Sequence, residues 1–109
     1  MSMSPEQLEK DFQKEVVAYA RLNGWRCYSV PDSRRISELG FPDLFLWSPS
    51  RKAFLFAELK REKGKLRPDQ IRVHAELIAL GLIVFVWRPS DWDQIKTVLG
   101  RPRKTRKVS

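Results

Sequence analysis

Cysteine and histidine are almost missing from this sequence. Cys27 is the one cysteine, so the chain can form no internal disulfide and no cysteine zinc cluster. His74 is the one histidine, which excludes a histidine-rich metal site. Long apolar runs are lacking too. The longest, Leu77–Trp87, is about half of what spans a bilayer and contains Gly81. The opening Met-Ser-Met-Ser-Pro-Glu runs into acidic residues and does not have the pattern of a secretory signal. A reduced cytoplasm, a host's cytoplasm if the chain is phage-encoded, is the expected location, with no membrane partner.

Acids are in deficit. Thirteen Asp and Glu stand against 21 Lys and Arg, a formal charge of +8. Such an excess in a small domain points to a polyanionic partner, most simply nucleic acid, although ribosomal and membrane-surface proteins share it. With 42% hydrophobic residues in 109, there is enough to build the core of one domain. We expect that domain over residues 1–100. Residues 101–109 carry Arg101, Arg103, Lys104, Arg106 and Lys107 without an acid, and have little to bury. A disordered basic tail is expected there, either merely solvated or attracting phosphates.

The first helix is expected from Pro5 to Asn23. Ser4 suits its N-cap, Gln7 completes a capping box, and Leu8, Phe12, Val16 and Ala20 form an apolar stripe with Tyr19 nearby. Trp25–Val30 reads as a strand and Pro31–Phe41 as a polar loop. Asp43–Trp47 and Ala53–Lys60 read as strands of an antiparallel hairpin around Pro49. A basic loop, Glu62–Arg67, precedes a helix over Pro68–Leu80. Leu82–Trp87 is almost wholly apolar, as for a strand buried on both faces at a sheet centre. Ser90 is placed to cap a last helix ending at Leu99, with Asp93 completing the box. The order α-β-β-β-α-β-α predicts an α/β domain, a mixed sheet flanked by helices.

Polar residues inside apolar strands need a reason. In Ala53–Lys60 the apolar run breaks at Glu58 and Lys60, which share one strand face. A solvent-facing ion pair and a functional pair are both compatible with these two residues alone. Hairpin pairing would bring Asp43 to them. Two carboxylates close together repel unless a cation lies between, and their hard oxygens suit Mg²⁺ or Mn²⁺. On the first helix, Glu9 falls about 20° from Val16 at about 100° per residue, so it is the acid that looks toward the sheet. Acids there also simply suit the helix dipole. Gln70 is partly inward on the second helix, or a solvated first-turn residue. His74 is expected on the helix surface or at an interface. Cys27 is expected to be a strand residue without chemistry, and Trp25, Trp47, Trp87 and Trp92 core or interface residues.

Glu9 with Phe12 and Val16, Gly40-Phe41-Pro42-Asp43-Leu44, Ala57-Glu58-Leu59-Lys60, Gly64-Lys65-Leu66 with Gln70, and Val86-Trp87-Arg88-Pro89 together resemble the VRR-NUC branch of the PD-(D/E)xK nuclease superfamily. The resemblance spans about residues 5–98, and its order and spacing carry it. It implies a restriction-endonuclease-like fold and metal-dependent hydrolysis of DNA phosphodiesters, with structure-specific, Holliday-junction resolvase-like action by a homodimer. By the same resemblance, Asp43, Glu58 and the Leu59 main-chain carbonyl would bind Mg²⁺ (or Mn²⁺), joined directly or through water by Glu9. Lys60 would hold the attacking water or the scissile phosphate, and Gln70 would support the site. The cap before the second helix departs from the family's usual Ser or Thr, because Arg67 precedes Pro68 here. Arg34, Arg35, Arg61, Lys63, Lys65 and Arg67 surround the acids and are expected to meet DNA phosphates. The competing readings are an inert nucleic-acid-binding module and an RNA-associated basic protein.

Overall fold

The computed structural model describes residues 3–29 and 40–101. Arg34, Arg35 and the tail from Pro102 onward lie outside the described residues. The elements run α1 (Pro5–Leu22), β1 (Arg26–Ser29), β2 (Leu44–Ser48), β3 (Ala53–Leu59), α2 (Pro68–Ala79), β4 (Val84–Trp87), a 3₁₀ turn (Pro89–Asp91) and α3 (Trp92–Leu99). This is the expected mixed sheet with helices in the expected order. Among the described residues no helix is long and apolar enough to cross a membrane.

The sheet order is β1-β2-β3-β4, antiparallel for the first two pairings and parallel for the last. Strand alternation divides its side chains. Leu44, Leu46, Leu55, Ala57, Leu59 and Trp87 are buried with Phe12, Val16 and Ala20 of α1 and Ile95 and Leu99 of α3. Trp25 closes this core by donating its Nε1–H to the Leu99 carbonyl at 2.9 Å. Leu8, expected in the α1 stripe, is exposed.

The opposite sheet face carries the alternate residues. In the β2–β3 register Phe45 pairs with Phe56 and Trp47 with Phe54. One step further along, the same register brings Asp43 to Glu58. Gly40 fits this side of the sheet closely to α2: with φ +95°, an added Cβ would come 2.4 Å from the Asp69 carbonyl oxygen.

Two expectations are corrected. The apolar run Leu82–Trp87 is not a central strand. The strand is Val84–Trp87 at the sheet edge, and only Trp87 in it is fully buried. The crossover through α2 sets β4 outside β3, and half-burial on each face satisfies an apolar run as well as full burial does. Ser90 does not cap the last helix. It is wound into the 3₁₀ turn, Asp91 holds the N-cap position of α3, and the Ser90 N–H donates to Glu62 Oε2 at 2.9 Å.

Candidate active site

The hairpin places Asp43 at the entrance of β2 and Glu58 near the end of β3. Asp43 Oδ2 accepts the Leu59 N–H at 3.0 Å, which locks it against the strand that carries Glu58. Glu58 is 1% exposed and Lys60 8% exposed, so the two do not form a solvent-facing ion pair. The Lys60 N–H continues the ladder to the Trp87 carbonyl at 2.9 Å, fixing the backbone at the site.

Burying two carboxylates side by side is costly in proportion to their charge. Desolvation, then the facing Glu58 carboxylate, pushes Asp43 from 3.8 up to about 8, against the Leu59 N–H and Lys60. Desolvation also raises Glu58, opposed by Asp43, Lys60 and Arg67. Without a cation, both acids are therefore pushed toward protonation and titrate as a coupled pair.

Gln70 is buried, and both ends of its amide are used. Its Oε1 accepts the Arg67 N–H at 2.9 Å, and its Nε2 donates to Glu58 Oε2 at 3.2 Å. The start of α2 is thus capped from within the helix despite the Arg67–Pro68 sequence. Gln70 belongs to the site and is not a solvated first-turn residue. His74, one turn further along, is also buried, which corrects its expected place on the helix surface or at an interface. Its Nε2 lies 3.5 Å from Glu58 Oε1. Desolvation lowers its pKa below 6.5, with Asp43 opposing and Lys60 adding to the shift, which favours the uncharged imidazole. The signal for His74 was its spacing of four from Gln70, which puts both on one helix face.

Glu9 is half-buried while Glu6 and Glu15 are exposed, as the helical wheel indicated. Its Oε1 accepts the Arg61 N–H at 3.4 Å, and its charge contributes to raising Glu58. It therefore stands near the acid pair, at the backbone just past Lys60. Among the described residues no three His, Cys, Asp or Glu are gathered closely enough to hold an ion by themselves. The donor chemistry nevertheless fits a divalent cation: two facing hard-oxygen carboxylates with raised pKa values, one of whose oxygens, Glu58 Oε1, is buried without a hydrogen-bond partner.

The basic loop beside the acids is anchored. Arg88, which the sequence argument did not assign a role, donates from Nη2 to the Gly64 carbonyl at 2.8 Å, and Glu62 holds Ser90. Lys63 and Lys65 are exposed on this loop and Arg61 is half-buried. Arg67 turns to Asp69 at 3.1 Å.

The model of the VRR-NUC domain matches residues 5–91 of the chain. A solved structure described as a VRR_NUC domain is similar at 26% sequence identity, with a TM-score of 0.65, over 83% of this chain and 91% of that one. Among curated proteins none matches the sequence.

Proposed function

Because the chain belongs to the VRR-NUC domain family, a nuclease-type family, we propose that it is a divalent-metal-dependent endonuclease hydrolysing DNA phosphodiester bonds. Its substrate is branched DNA, cut in the manner of a Holliday-junction resolvase. The observation that carries this reading is the meeting of the half-buried Asp43 with the buried Glu58 across the hairpin, with Lys60 buried beside them.

Asp43, Glu58 and the Leu59 carbonyl would hold Mg²⁺ or Mn²⁺, joined directly or through water by Glu9. When bound, such an ion would supply Lewis-acid stabilisation of the charge developing on the phosphate and a water of lowered pKa. The Lys60 ammonium orients the attacking water or the scissile phosphate. Gln70 keeps Glu58 turned toward the site through the bond at Oε2. Arg61, Lys63 and Lys65, with Arg34, Arg35 and Arg67, offset the acids' repulsion of phosphate and set the DNA backbone in register.

A second copy completes this reading. One 12.8 kDa domain covers too little DNA to engage two arms of a junction. Tyr28 and Phe54 are 56% and 48% exposed on the sheet face where Phe45 stacks on Trp47. A homodimer that buries this face accounts for both.

Cleavage of labelled single-stranded, duplex, flap and four-way DNA with Mg²⁺ and Mn²⁺ tests the proposal. Symmetric paired nicks across the four-way substrate, lost in Asp43→Ala and Glu58→Ala, are the expected result. Cleavage confined to flaps or single strands rejects the resolvase reading. Equal activity in both variants rejects the site, and binding of RNA without metal-dependent cleavage rejects the enzyme.

A further inference from the structure

The chemistry above gives His74 no task, and Glu58 Oε1, with two lone pairs, can accept a donor as well as meet a cation. Glu58 Oε1, His74 Nδ1 and His74 Nε2 are buried, and none has a hydrogen-bond partner. Buried polar groups are nearly always paired, so three such atoms in one place need a cause. Two of them face each other: His74 Nε2 is 3.5 Å from Glu58 Oε1, about half an ångström beyond a good N–H···O bond. Such bonds are often long before the ligand is in place.

The helix explains the approach. Gln70 and His74 are four residues apart on α2 and both are buried. Gln70 Nε2 reaches Glu58 Oε2 at 3.2 Å. Two side chains of one helix thus address the two oxygens of one carboxylate. A leucine would fill the space of His74 without leaving two ring nitrogens unpartnered, so packing alone does not account for an imidazole here. Nor does His74 complete a group of three metal-binding side chains, since none is gathered among the described residues.

We propose that His74 is a positioning residue for Glu58: its Nε2–H closes onto Oε1 and, with Gln70 on Oε2, fixes the carboxylate in the orientation that holds the divalent cation. The inference rests on the metal site proposed above. Partners of this kind fix the direction of a metal ligand and tune its affinity without touching the ion.

The test uses the full chain, Mn²⁺ as the probe and calorimetric titration. His74→Leu is expected to weaken Mn²⁺ binding about 10- to 100-fold. His74→Gln, whose amide can donate to the same oxygen, restores most of the affinity. His74 is the one histidine, so a ¹⁵N-histidine label reports a single imidazole. Its Nε2 resonance is expected to shift in Glu58→Gln. Wild-type affinity in His74→Leu, with binding lost in Asp43→Asn, removes the role of His74 and leaves the metal site standing. Equal binding by wild type and Asp43→Asn removes both. A loss in His74→Gln as large as in His74→Leu overturns the donor argument. If His74→Leu does not fold, an Nε2 resonance unmoved by Glu58→Gln overturns it independently.

Discussion

Replacing Asp43 by asparagine is expected to stabilise the metal-free protein, and increasingly so as pH rises. The amide keeps an acceptor for the Leu59 N–H and offers Glu58 a permanent donor where the wild type depends on a titrating proton. The native pKa of Asp43 is raised from 3.8 to about 8 by desolvation and by Glu58. Between those values the folded state holds a proton that the unfolded state has released. The stability tied to it is complete below 3.8 and is lost as pH climbs through about 8. At about 1.4 kcal/mol per unit, ionising Asp43 in the metal-free fold costs up to about 6 kcal/mol. Urea midpoints in EDTA at pH 5, 6, 7 and 8 measure it. The gap between Asp43→Asn and wild type should widen over that range to a few kcal/mol. Added Mg²⁺ should then stabilise the wild type at pH 8 and leave the variant unchanged. A gap that stays constant with pH, or a variant that gains as much from Mg²⁺ as the wild type, refutes the reasoning.

Other perturbations reach different parts of the account. Lys60→Met is expected to lower DNA cleavage by at least about 10²-fold while Mn²⁺ binding, followed by calorimetry, persists. Gly40→Ala drives a Cβ into the Asp69 carbonyl at a positive φ and should lower stability by about 2–4 kcal/mol in denaturant titration. Phe54→Asp places a charge on the exposed aromatic face and should turn a dimer into a monomer by light scattering, with the fold intact by circular dichroism.

The acids were legible because they interrupt apolar strands. A carboxylate at Glu58 in an otherwise apolar run and a Pro-Asp at the head of the preceding strand suffice, once the hairpin turn fixes the register, to bring Asp43 and Glu58 together. Glu9 was legible from helical angle, and the angle separated it from Glu6 and Glu15. The angle did not show that Leu8 falls beyond the reach of the sheet, because a wheel carries no information about where the partner surface ends. Val84–Trp87 misled for a related reason: its apolar residues divide between the two faces, and composition does not distinguish an edge strand covered on both faces from a central one. His74 was misplaced because its partner is a buried carboxylate on another element. An imidazole on a helix reads as surface until Gln70, one turn away, is seen to face Glu58. The cap of α3 failed locally, since Pro89 winds Ser90 into a 3₁₀ turn and Glu62, far away in sequence, takes its N–H.

The central claim is that the Asp43–Glu58 pair is a divalent-cation site. A crystal of the full chain grown with Mn²⁺, measured at a wavelength where manganese scatters anomalously, tests it most directly. The account predicts an anomalous peak bounded by the Asp43 and Glu58 carboxylates and the Leu59 carbonyl, absent from crystals of Glu58→Gln. Crystals that show these two carboxylates still paired through a proton at pH 8, with manganese bound elsewhere or nowhere, would contradict it.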